Sequence, residues 1–250
     1  MQQTERTRCT SGFQRSLPRQ IMSTIESNLQ VVRARIVAAA RAAGRDPGTI
    51  ALLAVSKTFD AEAVRTAHAA GQREFGENYA QEGMEKIDAV VPLPLIWHFI
   101  GPIQSNKTRA IAEHFDWVHS VAREKIAQRL AQARPDDRGP LNICLQVNVS
   151  GEASKSGIAP GEVHSLAEAV HALPRLRLRG LMAVPEPSDD IEQQRRSFRR
   201  LRALLEQLNA AGFELDTLSM GMSQDLEAAI MEGATIVRIG TAIFGARIQS

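Results

Sequence analysis

Lys57 closes an apolar run, Ala54-Val55-Ser56-Lys57-Thr58, and two small-residue clusters near the far end of the chain answer it: Ser219-Met220-Gly221-Met222-Ser223 and Arg238-Ile239-Gly240-Thr241. A lysine amine forms a Schiff base with a carbonyl when desolvation or neighbouring cations lower its pKa. Backbone N–H groups freed beside glycine, serine and threonine hydroxyls, and a helix N-terminus hold phosphate. Together the three segments ask for a tethered, phosphorylated aldehyde. Taken singly they are bland: Lys57 reads as a lysine snorkelling from a strand end, and Ser223 as the N-cap of a helix opening at Gln224. Two glycine devices following consecutive strands, where barrels commonly hold phosphate, are far more specific than either alone.

Arg238 lies within the apolar stretch Ile236-Val237-Arg238-Ile239, and a buried charge needs a partner. One reading is a structural ion pair. The other aims the permanently cationic guanidinium at the nitrogen of a bound pyridine ring, keeping that nitrogen unprotonated and weakening the ring as an electron sink. A cofactor so placed is held but poorly activated. Asn78, in Glu74-Phe75-Gly76-Glu77-Asn78-Tyr79, and His98, in Trp97-His98-Phe99-Ile100-Gly101, are each either a contact to such a ring or a satisfied polar residue of the interior. Lys107 and Lys155 read as solvated loop lysines. The other histidines lack metal-site spacing, so no metal is expected.

These residues need a scaffold that brings the first and last strands together. Apolar runs at 50–55, 74–75, 95–100, 117–118, 142–149, 179–184, 217–220 and 236–239 alternate with helical patterns at 61–70, 80–90, 107–114, 123–133, 160–172, 191–211 and 224–232. Strand and helix in alternation predict parallel strands with right-handed crossovers. Eight units in 250 residues predict a closed barrel with its site at the C-terminal strand ends. An open flavodoxin-like sheet needs fewer units and leaves the last pair unexplained. Ahead of the repeat, Ile25, Leu29, Val32, Ile36 and Ala39 recur at helical spacing and Gly44 and Pro47 stop the pattern, predicting an extra helix over 24–43 that plugs or flanks the barrel. Residues 1–21 read as a disordered extension and 22–250 as one barrel domain.

Hydrophobic residues at 44%, charged residues at 23% and a net charge of +2 suit an ordinary soluble globule. Aromatics at 4% offer no stacking platform beside a basic cluster, which argues against a nucleic-acid partner. No apolar run approaches the ~18 residues that span a bilayer. Cys9 and Cys144 are far apart, and Cys144 sits in an apolar run as a small buried hydrophobe, so a reducing cytoplasm is expected.

The runs at 54–58, 75–79, 97–107, 148–157, 179–183, 219–225 and 237–245, in this order, resemble the pyridoxal phosphate homeostasis family. The resemblance extends from about Ile25 to the end of the chain. It implies an α/β fold, a single (β/α)8 TIM barrel of the alanine racemase N-terminal type. It implies pyridoxal 5'-phosphate held as a Schiff base on Lys57, with Ser219, Ser223, Gly240 and Thr241 on the phosphate and Arg238 at the ring nitrogen. It implies a carrier and regulator of vitamin B6 and amino-acid balance without established catalysis, with apo-enzymes as recipients. The residues agree. Racemases of this barrel type use a second, β-rich domain to build the dimer that brings a tyrosine base to the cofactor, and racemisation needs an acid or base on each face. Here Tyr79 is the only tyrosine and the sequence reaches Ser250 without such a domain. The alternatives are a cofactor-dependent amino-acid racemase working through Lys57 and a Schiff-base aldolase acting on a sugar phosphate. A closed barrel with a covering helix stands alone, so a monomer is expected.

Overall fold

The alternating pattern resolves, in a computed structural model that describes residues 19–151 and 156–246, into eight parallel strands closed in sequence order. The strands are β1 (Ala51–Val55), β2 (Glu74–Glu77), β3 (Ile96–Phe99), β4 (Trp117–Val121), β5 (Leu141–Gln146), β6 (Leu176–Met182), β7 (Thr217–Ser219) and β8 (Ile236–Ile239). The helices are α1 (Arg19–Ala42), α2 (Ala61–Ala69), α3 (Ala80–Ala89), α4 (Thr108–His114), α5 (Glu124–Ala133), α6 (Val163–His171), α7 (Ile191–Ala210), α8 (Leu226–Met231) and α9 (Thr241–Phe244). β1 pairs with β8 in the register Leu53↔Arg238 and Ala54↔Ile239, which sets the lysine-bearing strand end beside the last glycine turn. The expected (β/α)8 barrel is therefore the observed one.

Local chemistry explains the boundaries. Strands covered by helices on one face and packed on the other are apolar throughout, as Leu53, Ala54 and Val55 are, all buried. Asp60 accepts from Ala63 N at 3.0 Å to open α2, and Asp190 accepts from Glu192 N at 2.9 Å to open α7. β2 and β4 run further than their short apolar cores suggest, because polar Glu77, His119 and Ser120 are buried along them. β5 stops at Gln146, where Val147 leaves the ladder to bridge Ile158. Pro160 starts a 3₁₀ turn, Pro160–Glu162, so α6 itself begins at Val163.

α1 flanks the barrel and does not plug it. Its stripe of Ile25, Leu29, Val32, Ile36 and Ala40 is buried, and the helix packs on α2, α8 and α9, over the seam where β8 meets β1. Asn28 Nδ2 donates to Ile243 O at 2.9 Å, Arg45 donates to Ile230 O at 2.8 Å, and Arg35 grips the Glu227 carboxylate at 2.9 Å. It starts at Arg19, before the expected Thr24. The extension expected over 1–21 thus falls outside the described residues except for its last three positions, and Cys9 and Lys155 fall outside them altogether. Among the described residues no helix is long and apolar enough to cross a membrane.

Candidate functional site

Side chains alternate along a strand, so the parity of β1 carries Lys57, two residues past Val55, to the inner side of the barrel mouth. Both line a cavity of about 660 Å³ at the C-terminal strand ends. Asn78, Ser223, Arg238, Gly240 and Thr241 line the same cavity, so one space collects the amine from the first strand and the glycine turn after the last. Lys107, half-buried at the end of a 3₁₀ turn, is not on its wall.

Backbone geometry makes the turns. Gly221 has φ +94°, a left-handed conformation, and a Cβ there would lie 2.5 Å from the Ala229 Cβ. Its carbonyl accepts from Arg238 N at 2.9 Å, fixing the loop after β7 to β8. A Cβ on Gly240 would lie 3.2 Å from Val55 O, a tight contact that glycine avoids where this turn passes beside the lysine strand. Gly240 is the N-cap of α9. Ser223 is not the cap of α8: the helix opens at Leu226 with Asp225 in the cap position, and the Asp225 carboxylate accepts the Met222 N–H at 2.5 Å. A carboxylate two residues beyond the serine closes its own turn and postpones the helix, leaving Ser223 on the cavity wall.

Arg238 is 5% exposed, and its two terminal nitrogens donate to neutral oxygens, Ser219 Oγ at 2.8 Å and Ala183 O at 2.9 Å. Burial pulls its pKa down to about 10, with Asp225 and Cys144 opposing, so it remains cationic at neutral pH. Ser219 stands beneath the cavity and does not line it. Its hydroxyl meets His119 Nδ1 at 2.7 Å, and His119 Nε2 meets His98 Nδ1 at 2.9 Å. His98 stacks on Trp117 with ring centres 5.4 Å apart and lies 3.5 Å from Glu74 Oε2. Burial pushes the His98 pKa down to about 3; burial, then His98 and Arg238, hold His119 well below the ordinary histidine value. His98 is thus an interior residue, the second of its two readings. His119 was invisible in the sequence because the apolar run ends at Val118; its alternation with Trp117 was the available signal.

Asn78 is fixed from behind, since Gly101 passes so close that a Cβ would lie 2.1 Å from Asn78 O. Its Oδ1 is buried and has no hydrogen-bond partner among the described residues. Cys144 is fully buried and burial pushes its thiol up to about 12, in keeping with its reading as a small hydrophobe.

The model of the alanine racemase N-terminal domain matches residues 23–248. The pyridoxal phosphate homeostasis protein of Pseudomonas aeruginosa is 68% identical over 226 residues, spanning 90% of this chain and 97% of that protein. Among solved structures, PipY of Synechococcus elongatus with pyridoxal phosphate bound is 35% identical with a TM-score of 0.78, covering 88% of this chain and 100% of its own. The alanine racemase of Corynebacterium glutamicum, 17% identical, shares the fold with a TM-score of 0.69 over 90% of this chain and 62% of its own. By identity, coverage and architecture together, the chain belongs to the pyridoxal phosphate homeostasis protein family, whose barrel is of the alanine racemase N-terminal type.

Proposed function

We propose that this protein binds pyridoxal 5'-phosphate at the barrel mouth as a non-catalytic carrier or regulator in vitamin B6 homeostasis, with Lys57 as the covalent Schiff-base tether. The observation that carries the reading is one cavity that holds Lys57, the Gly240-Thr241 turn and an arginine charge with no carboxylate hydrogen-bonded to it among the described residues. The residues suit the cofactor. Asn78 Oδ1 is a buried acceptor with no hydrogen-bond partner among the described residues, and Gly240 and Thr241 turn on the cavity wall beside Lys57. Binding of pyridoxal phosphate by PipY and the name of the Pseudomonas relative support the same reading.

When bound, the cofactor supplies an electrophilic carbonyl and, where its ring nitrogen is protonated, an electron sink. Lys57 takes the carbonyl end. Ser223, Gly240 and Thr241 take the phosphate with hydroxyls and backbone N–H groups. Arg238 donates toward the ring nitrogen and, remaining charged, gives it no proton. Ser219 holds Arg238 from beneath in place of the direct phosphate contact expected of its hydroxyl. Racemisation needs an acid or base on both faces of the substrate carbon. Tyr79 is 58% exposed and off the cavity wall, and the carboxylate on that wall, Asp225, is engaged in its own turn. The same arrangement favours holding over turnover, and the cytoplasm and apo-enzyme recipients belong to this reading.

The purified protein saturated with cofactor is expected to show the yellow visible absorbance of a Schiff base, and Lys57→Ala to lose it entirely. A colourless saturated protein overturns the tether. Exchange of amino-acid α-protons in deuterated water, measured on the saturated protein, is expected at background; exchange above it would restore the racemase.

A further inference from the structure

The backbone on either side of Lys57 is held from outside the barrel by residues absent from the cavity wall. Val55 and Lys57 face the mouth; Ser56, between them, faces the helices and is fully buried. Its N–H donates to Gly76 O at 3.1 Å, its hydroxyl donates to Glu77 Oε1 at 2.6 Å, and its carbonyl accepts from Lys86 Nζ at 2.6 Å. On the other side of Lys57 the Thr58 N–H donates to the Glu82 carboxylate. Lys86 joins the two ends, its Nζ 2.7 Å from both Glu77 Oε1 and Glu82 Oε1.

Thr58 adopts φ +70°. A left-handed conformation is a genuine outlier for a β-branched residue and persists only where the surroundings over-determine it. The Glu82 carboxylate on the Thr58 N–H is such a determinant. Glu82 and Lys86 stand four apart on α3, a helix that Gly83 lets pack closely on Phe115: a Cβ there would lie 2.6 Å from Phe115 Cζ. A buried ion pair contributes little net stability compared with apolar packing, and its best-attested use is to fix geometry.

The geometry points to Lys86, with Glu77 and Glu82, as positioning residues for Lys57: one buried cation locks residues 56 and 58 and so aims the amine between them. This rests on Lys57 being the tether. Ser56, Glu77, Glu82 and Lys86 are all absent from the cavity wall, so loosening the clamp alters how the amine is presented without altering the phosphate and ring contacts.

The test compares two ligands. Pyridoxal 5'-phosphate reads the amine. Pyridoxine 5'-phosphate, an alcohol that cannot condense with lysine, reads the rest of the pocket. Glu82→Gln removes the charge at the half-exposed end of the clamp while keeping its shape, and Lys86→Met removes the cation. Glu82→Gln is expected to slow or diminish the yellow band by roughly tenfold, the worth of a charge-assisted hydrogen bond, with pyridoxine 5'-phosphate affinity changed by less than about twofold. Lys86→Met is expected to do more if it folds, and Lys86→Arg to recover part of the band. An unchanged band in Glu82→Gln overturns the proposal, as does an equal loss for both ligands, which would mark a merely structural role. A wild-type protein without a band overturns the tether itself, a failure told apart by the missing wild-type colour.

Discussion

Behind β1 and β2, charges answer one another: Lys86 lies 2.7 Å from each of two carboxylates, and the carbonyl of Ser56 completes its shell. Inside the barrel, the hydrogen bonds of the Arg238 guanidinium among the described residues go to a hydroxyl and a carbonyl, backed by two histidines that burial keeps neutral. Both groups lie in low-dielectric surroundings where an unmatched charge is costly. The first assembly commits its cation to two carboxylates and a backbone carbonyl, and its contacts hold backbone in place. The second carries a positive charge that the protein orients without cancelling, and such a charge is complementary to an electron-rich ring nitrogen and a nearby phosphate. The difference separates a device that aims the amine from a device that receives the ligand.

Breaking the closed assembly should cost most. Lys86→Met leaves the Glu77 carboxylate buried and unpaired, a change expected to destabilise the fold by about 3–5 kcal/mol in urea unfolding. Burial already raises the Glu77 pKa despite the opposing pull of Lys86 and Ser56, so part of that loss would be relieved by proton uptake. The assembly around Arg238 should weaken in acid, through its two histidines. With the His98 pKa at about 3 and that of His119 depressed as well, the unfolded chain binds protons below pH ~6.5 that the folded chain refuses. Stability is therefore expected to fall as the pH drops through this window, by about 2 kcal/mol for His98 between pH 6.5 and pH 5, with His119 adding in the same direction. Urea titrations across that range read the slope, and His119→Phe should flatten it. The smallest effect is Ser219→Ala, which leaves one Arg238 donor without its acceptor. A cost of about 1–3 kcal/mol is expected, with weaker cofactor binding although the residue is off the cavity wall.

The sequence made one of these assemblies legible and hid the other. Lys57, Arg238 and Gly240 stand out because a charge or a glycine interrupts an apolar strand, and strand ends in a barrel converge. Lys86 does not, since a lysine four residues from a glutamate on a helix reads as a solvated pair. Its signal was position: Ala80, Gly83 and Lys86 share the buried face of α3, a stripe where a lysine is out of place. His119 was lost to a strand read as ending at Val118, three residues before its observed end at Val121. The misplaced cap at Ser223 has another cause, because two acceptors competed for one turn and the sequence does not rank Ser223 against Asp225. Strand order and barrel closure followed from alternation alone, for which period and count suffice; the register, with its shifts between β4, β5 and β6, did not.

The first helix holds a further lesson about timing. Its apolar stripe is covered by helices formed around Leu226–Met231 and Thr241–Phe244, and Asn28 is hydrogen-bonded to a carbonyl 215 positions away. Contacts so distant in sequence close slowly. During synthesis, the segment made among the first waits for partners made among the last, with Ile25, Leu29, Val32 and Ile36 facing solvent meanwhile. A chain stalled some thirty residues short would have seven strands, no latch, and a greasy ridge open to the chaperones that survey such surfaces.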